Sequence, residues 1–152
     1  MKRMSLLGAS LGLLMATPVL AEIVVEDPYV RAMPPGQPNT AAFMQLHNTG
    51  SEARAVVEAR SAASNVVELH THVHEDGMMR MRQIEQIDLP AGEPVSLQPG
   101  GLHVMLIDLV APLSVGERVG VTLVLDNGEE IAVDAEVRHV ERGMGHSRRH
   151  HH

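Results

Sequence analysis

The sequence contains no cysteine and no tryptophan, and it has a single tyrosine and a single phenylalanine. Without cysteine the fold cannot use disulfides, and no thiolate is available as a metal ligand or redox group. The core must therefore be built from Val, Leu, Ile, Ala and Met. Because single-stranded nucleic acids bind by stacking on aromatic rings, the scarcity of aromatic residues argues against such a partner.

Basic residues are also scarce. The chain has 12 Lys and Arg against 19 Asp and Glu, and its net charge is −7 with neutral histidines. A negative protein is repelled by phosphate backbones and by anionic membranes, so we expect no nucleic-acid partner. With 152 residues, of which 44% are hydrophobic, the chain is long enough for one domain with a substantial core.

A long apolar run occurs only at the beginning of the chain. Two basic residues precede an apolar run over residues 6–14, and the small-residue ending Val19-Leu20-Ala21 follows. This order is typical of a secretory signal. We expect residues 1–21 to be a signal peptide that is cleaved after Ala21. An uncleaved N-terminal anchor is the alternative, and it would also keep the domain outside the cytoplasm.

Apolar and polar residues alternate in nine short segments, and turn residues bound each of them. Such segments predict β-strands, and no long segment has the period of a helix. The clearest hairpin spans residues 121–137 and turns at Asn127-Gly128, where both residues accept a positive φ. We predict one all-β domain over residues 22–137, an antiparallel Greek-key sandwich or barrel of about eight or nine strands. The predicted strands cover residues 22–26, 40–48, 52–59, 65–74, 78–86, 95–98, 103–109, 117–125 and 130–139.

Two imidazole and two thioether side chains form a candidate metal site: His70, Met81, His103 and Met105. Thioether sulfur is a soft ligand that prefers Cu(I), and imidazole suits copper in both common oxidation states. The set therefore favours copper over zinc, magnesium or calcium. It contains no thiol that an oxidising compartment would damage, and its limited affinity suits a carrier that must release its ion.

The register of one hairpin decides whether these residues converge. Alternate residues of a strand share a face, so His70, His72 and His74 lie on one face of their strand. If the turn that follows has two or four loop residues, Met81 lies on the same face, across from His70 or His72. An odd number would separate the two faces. Spacing alone also leaves open that the methionines are core residues.

Three stretches of the sequence carry a recognisable motif: Val67-Glu68-Leu69-His70, Gly77-Met78-Met79-Arg80-Met81-Arg82 and Pro99-Gly100-Gly101-Leu102-His103-Val104-Met105-Leu106. Ten residues separate His70 from Met81, twenty-one separate Met81 from His103, and one separates His103 from Met105. In this spacing the chain resembles the periplasmic copper chaperones of the PCuAC type, and the match is complete. Residues 29–36 and 41–44 also resemble the opening of that family, so the resemblance extends to about residue 137.

The resemblance implies a cupredoxin-like β-barrel that binds Cu(I) in the periplasm. It also implies a partner that accepts the copper, either a cytochrome c oxidase subunit or another copper chaperone. One position departs from the pattern, because many members have methionine two residues after the first histidine and this chain has His72 there, followed by His74. These two histidines are candidates for a secondary metal site.

The composition changes after residue 137. Residues 138–152 are polar, basic and rich in histidine, which predicts a mobile tail. The tail resembles the His- and Met-rich extensions of some PCuAC proteins, which implies a looser second site for Cu(II) that includes His146 and His150. A purification tag is the alternative explanation for the last three histidines.

Several other functions are weighed against a copper carrier. An electron-transfer cupredoxin would need a cysteine thiolate for its blue site, and the chain has none. A copper oxidase or dismutase could use histidines, but ligation by methionine leaves no evident position for a substrate, so we expect no enzyme activity. A copper storage or resistance protein would use the same ligands as a carrier. A structural β-sandwich would use none of them.

Overall fold

The computed structural model of this chain describes residues 22–140, residue 8 and residues 12–15. The described residues form ten β-strands and no helix, so the all-β prediction is confirmed. None of the described segments is a helix long and apolar enough to cross a membrane. The strands are β1 (Ile23–Arg31), β2 (Thr40–Asn48), β3 (Arg54–Arg60), β4 (Ser64–Glu75), β5 (Met78–Gln83), β6 (Ile87–Leu89), β7 (Pro94–Leu97), β8 (His103–Leu109), β9 (Arg118–Leu125) and β10 (Glu130–Arg138).

The strands form one sheet that folds over on itself. Its order is β5-β4-β8-β2-β1-β10-β9-β3-β6, and β7 pairs with β2 outside this path. β3 also contacts β4, and β6 contacts β2, so distant parts of the sheet come together around a shared core. The strand pairs are antiparallel, apart from β1 and β10, which are parallel.

The predicted hairpin at Asn127-Gly128 is confirmed. β9 and β10 pair in antiparallel fashion on either side of the turn, and Gly128 has a φ of 86°. The Glu129 N–H donates to Asn127 Oδ1 at 3.0 Å, which holds the turn closed. Gly128 thus has the positive φ that the sequence predicts, whereas Asn127 does not and stabilises the turn through its side chain instead.

The predicted strand over residues 78–86 is shorter in the structure, and a strand that was not predicted follows it. β5 ends at Gln83, pairs with β4 at the edge of the sheet and is exposed along its whole length. The chain then crosses to the other end of the sheet, where β6 pairs with β3 and buries Ile87 and Leu89. β6 is therefore the tenth strand, in addition to the nine that the sequence predicts.

The first strand is longer than predicted because a bulge interrupts it. β1 continues to Arg31 beyond a register shift that lies between Glu26 and Tyr29. Within the bulge Asp27 has a φ of 46°, and its carboxylate accepts a hydrogen bond from Arg138 at 2.6 Å. The polar bulge residues break the alternation of apolar side chains, so the sequence pattern ends too early.

The core lies between the layers of the folded sheet. Its cluster of buried residues contains only aliphatic and methionine side chains, among them Met44, Leu106 and Leu123. Phe43 is also buried, but it alternates with Ala42 and Met44 along β2 and therefore points to the opposite, outer face. There its ring packs on that of Tyr29, with the ring centroids 5.3 Å apart. The outer face of the sheet thus has a small packed region of its own.

We expect Leu106→Ala to lower the free energy of unfolding by about 2–5 kcal/mol, because it leaves a cavity in the core. Leu106 is fully buried on the central strand β8, whereas Val66 on the neighbouring strand β4 is 44% exposed. Val66→Ala should therefore cost only about 0.5 kcal/mol. Urea denaturation of both variants checks this, and similar losses in the two proteins would contradict the position of the core.

Candidate metal centre

The turn between β4 and β5 sets the register of the hairpin they form. Asp76 and Gly77 both have positive φ, 51° and 73°, as a two-residue Asp-Gly hairpin turn requires. Glu75 therefore pairs with Met78 at the end of the ladder. Because the loop has an even number of residues, the predicted coincidence of the histidine and methionine faces is confirmed.

Met81 lies across from His72, one of the two partners that the sequence allowed. On the same face, two residues nearer the turn, His74 pairs with Met79. Two residues further from the turn, His70 pairs with Gln83. Imidazole and thioether side chains therefore occupy two successive cross-strand pairs on the same face of the hairpin.

The pairing of β4 with β8 brings the other two predicted residues to this face. His70 lies directly across from His103, and their ring centroids are 5.6 Å apart. Met105 lies across from Glu68, two residues before His70 on β4 and two residues after His103 on β8. The intervening residues point into the core, so the candidate site lies on the outer face of β5, β4 and β8.

The ring of His103 is fixed and almost completely buried. Its Nδ1 lies 3.0 Å from the carbonyl oxygen of Gly101, and its side is covered by Phe43, with ring centroids 6.1 Å apart. A carbonyl can only accept a hydrogen bond, so Nδ1 carries the proton and Nε2 keeps a free lone pair. Nε2 is buried and has no hydrogen-bond partner among the described residues. A buried nitrogen without a partner is costly, and a metal ion is one group that would satisfy it.

His70 shows the same arrangement with its ring nitrogens exchanged. Its Nε2 lies 2.6 Å from Glu68 Oε2, so Nε2–H donates to the carboxylate. Nδ1 is then left with a free lone pair, and it too is buried without a partner in the described part of the chain. Histidines that bind metals usually donate their other N–H to a carboxylate or a backbone carbonyl. Both kinds of acceptor occur here, one on each histidine.

The protonation of His103 is suited to a ligand. Burial lowers the pKa of His103 below its ordinary value of 6.5, since the charged ring is poorly solvated there. The hydrogen bond with Gly101 opposes this shift, and the nearby His72 and His70 add to it. The ring is therefore neutral at neutral pH, the form in which imidazole binds a metal.

The two methionines flank the histidine pair on opposite sides. Met105 is partly buried, whereas Met81 is 45% exposed. They lie on strands separated by β4, and their partners on β4, Glu68 and His72, are four positions apart. On a flat sheet, four residues along the strands and two strand spacings across them put the Cα atoms of Met81 and Met105 roughly 16 Å apart. The two sulfur atoms can therefore meet only if the sheet bends and both side chains reach inward.

Nitrogen and oxygen ligands alone do not complete a site. Within the described residues no group of three His, Cys, Asp or Glu side chains is placed to hold a metal ion. The ring of His72 is only 5.2 Å from that of His103, but its Nδ1 lies 3.3 Å from the Gly101 carbonyl. Met81 and Met105 are the remaining predicted ligands on this face of the sheet.

The remaining predicted residues lie apart from the histidine pair. His74 is exposed near the turn of the β4–β5 hairpin. His146 and His150, the candidates in the tail, lie outside the described residues, as does the predicted cleavage site at Ala21. The interpretation of the tail and of the signal peptide therefore stays a prediction.

Two supporting groups were missed by sequence reasoning. Glu68 is two residues before His70, a spacing that puts both side chains on one face of a strand, so this contact had a signal in the sequence. The contact of His103 with the carbonyl of Gly101 had no signal in the sequence, because every residue has a backbone oxygen and only the folded loop brings this one to His103.

The chain was compared with known families and proteins. The model of a family described as "Putative lipoprotein LpqE-like" matches residues 23–137. "Putative lipoprotein Lxx21020" of Leifsonia xyli subsp. xyli is 37% identical over 117 residues, which are 76% of this chain and 69% of that protein. "Uncharacterized protein RP573" of Rickettsia prowazekii is 26% identical over 100 residues, 65% of this chain and 55% of that protein.

Solved structures share this fold. The copper-bound PCuAC domain from PmoF2 is 26% identical with a TM-score of 0.66, covering 83% of this chain and all of that one. The solution structure of CuI-DR1885 from Deinococcus radiodurans is 35% identical with a TM-score of 0.64, covering 78% and 79%. Apo-DR1885 from the same organism is 30% identical with a TM-score of 0.62, covering 92% and 95%. These matches confirm the predicted cupredoxin-like fold and, for the domain as a whole, the resemblance to PCuAC domains.

We expect the metal-free protein to lose stability as the pH falls below about 6.5. In that range the unfolded chain takes up a proton at His103, whereas the folded chain, in which the pKa of His103 is lowered, does not. At higher pH the ring is neutral in both states, so it contributes no pH dependence there. Urea denaturation near pH 7 and near pH 5 measures the loss. The variant His103→Gln should lose less between the two pH values, and an equal loss would contradict the prediction.

Proposed function

The chain belongs to the LpqE-like family, and from this membership and the site on its outer face we propose that it is an exported copper carrier. It holds one Cu(I) ion between His70, Met81, His103 and Met105 and delivers it to an acceptor protein. The acceptor is a cytochrome c oxidase subunit or another copper chaperone. The protein is not an enzyme, and copper is its cargo.

The pair of buried imidazole nitrogens carries this proposal. His70 Nδ1 and His103 Nε2 belong to residues that lie directly across from each other on β4 and β8. Neither atom has a hydrogen-bond partner among the described residues, although both are buried. Each ring is held by a hydrogen bond at its other nitrogen, to Glu68 and to Gly101. A structural β-sandwich without a metal would gain nothing from this arrangement.

The choice of ion follows from the donors and is supported by the related structures. Imidazole with thioether is a donor set that favours Cu(I). The PmoF2 domain with this fold is copper-bound, and the DR1885 structure with this fold is the CuI form. The thioethers carry no proton, and the pKa of His103 is lowered by burial, so that neither thioether nor this ring has to lose a proton when it binds the ion.

The four ligands differ in how firmly they are held. His103 is 1% exposed and His70 is partly buried, so the nitrogen ligands form a fixed base. Met81 lies on β5, which is an edge strand among the described residues and pairs there with β4. Bending of the β4–β5 hairpin toward β8 brings the Met81 sulfur to the ion, and bending back releases it. An acceptor can then replace the ligands one at a time, beginning with Met81.

The surface around the ligands is the docking rim for the acceptor. Met79 is 51% exposed near the end of the hairpin, on the face of the site, and residues 99–102 form the loop before His103. Methionine-rich surfaces adapt to a partner because their side chains are flexible and polarizable. A copper acceptor that docks here meets the exposed side of the site.

Export is part of the same proposal. Residues 1–21 are a signal peptide that is removed after Ala21, residues 22–137 are the copper-binding domain, and residues 138–152 are a tail. The mature protein acts in the periplasm. The description of its family as a lipoprotein family supports export.

We expect titration under reducing conditions to find one tight Cu(I) ion per chain, with an affinity that falls more than about 100-fold in the double variant Met81→Ala and Met105→Ala. The loss of both sulfur ligands leaves two imidazoles, which do not hold the ion alone. Met78→Ala is the matched control, because Met78 pairs with Glu75 and faces the other side of the hairpin. Unchanged affinity in the double variant would contradict the proposed ligand set.

We expect Glu68→Gln to weaken Cu(I) binding by about 10–100-fold, since the carboxylate that fixes the His70 ring is lost while all four ligands remain. Glu75→Gln is the matched control on the same strand, where the carboxylate faces away from the site and pairs with Arg82. Competition with a chromophoric Cu(I) chelator measures both affinities. Equal affinities for the two variants would show that Glu68 does not position His70.

A further inference from the structure

The β4–β5 hairpin carries a second imidazole and thioether pair beyond the proposed ligands. His74 lies directly across from Met79, two residues nearer the turn than His72 and Met81. Residues directly across an antiparallel pair have Cβ atoms about 5 Å apart, close enough for both side chains to bind one ion. Because strand residues two apart share a face, this pair lies on the same side of the hairpin as the proposed site.

Both side chains of the outer pair are accessible. His74 is exposed, and Met79 is 51% exposed. The proposed inner site is different, since His103 is 1% exposed there. An ion in solution or on a partner protein can therefore reach the outer pair directly, whereas it reaches the inner histidines only past the hairpin.

The charges of the hairpin favour a cation on this face. Arg80 and Arg82 pair with Val73 and Thr71, so both arginines point to the opposite face. Arg82 is also neutralised by an ion pair with Glu75 on that face. The hairpin thus presents three imidazoles and two thioethers on one side and keeps Arg80 and Arg82 on the other.

We propose that His74 and Met79 form an outer Cu(I) site through which the ion enters and leaves the inner site. The proposal rests on the proposed function, because an outer site for Cu(I) has a role only if the inner site binds Cu(I). With two ligands in solvent, it binds more weakly than the inner site. His72 and Met81 form the next cross-strand pair inward, and Met81 is already a ligand of the inner site. The ion therefore moves inward by exchanging one ligand at a time, with no change of oxidation state.

The test follows the methionine methyl groups of the full chain by NMR, with [methyl-13C]methionine and stepwise addition of Cu(I) under reducing conditions. The first equivalent should shift the Met81 and Met105 methyl signals. The second should shift the Met79 methyl signal, and this shift should disappear in the variant His74→Asn, which keeps Met79 and the response to the first equivalent. The double variant His74→Asn and Met79→Leu should no longer take up the second equivalent. Met78→Leu is the matched control and should keep both responses.

Two results would overturn the outer site. One is a Met79 signal that does not move with the second equivalent, for example because only Met144 in the tail responds. The other is an uptake of the second equivalent that is the same in the double variant as in the parent. Failure of the proposed function looks different, because the Met81 and Met105 signals would then not respond to the first equivalent.

Discussion

The register of β4 against its two neighbours is the constraint on which the candidate site depends. Pairing with β8 puts His70 across from His103, and pairing with β5 puts Met81 across from His72. A shift of either pair by one residue would turn one set of side chains to the other face. The register with β5 is fixed by two positive φ values at Asp76 and Gly77. The register with β8 is fixed by burial, because Leu69 and Val104 must face the core.

Two buried ring nitrogens, which have no partner in the part of the chain that the structure describes, would link stability to metal binding. Protein interiors rarely leave such atoms unpaired, because the lost hydrogen bonds to water are not replaced. At His70 and His103 the fold keeps the free nitrogens and holds the opposite side of each ring, with a carboxylate on one and a backbone carbonyl on the other. Binding of an ion that satisfies both nitrogens would stabilise the folded chain. In the proposed carrier, the exposed thioethers of the hairpin are the route by which the ion leaves.

Much of the fold could be predicted from residue patterns, because alternation and turn residues are local signals. The hairpin at Asn127-Gly128 and the shared face of His70, His72 and His74 are examples. The end of β5 at Gln83 and the separate strand β6 could not be predicted, since no Gly, Pro, Asn or Asp in residues 84–86 marks a break that only the path of the sheet imposes. The cross-strand partner of Met81 depends on the number of residues in the turn between β4 and β5, which the sequence left open. The carbonyl of Gly101 is a tertiary contact of the backbone, and side-chain patterns carry no information about it.

The central claim is that two nitrogen and two sulfur ligands from three strands converge on one soft ion. X-ray absorption spectroscopy of the protein loaded with one equivalent of Cu(I) tests this claim directly, because sulfur and nitrogen neighbours scatter differently. The account predicts two sulfur and two imidazole nitrogen neighbours around the copper, which requires the Met81 side of the hairpin to bend toward β8. A copper environment with nitrogen or oxygen neighbours alone would contradict it.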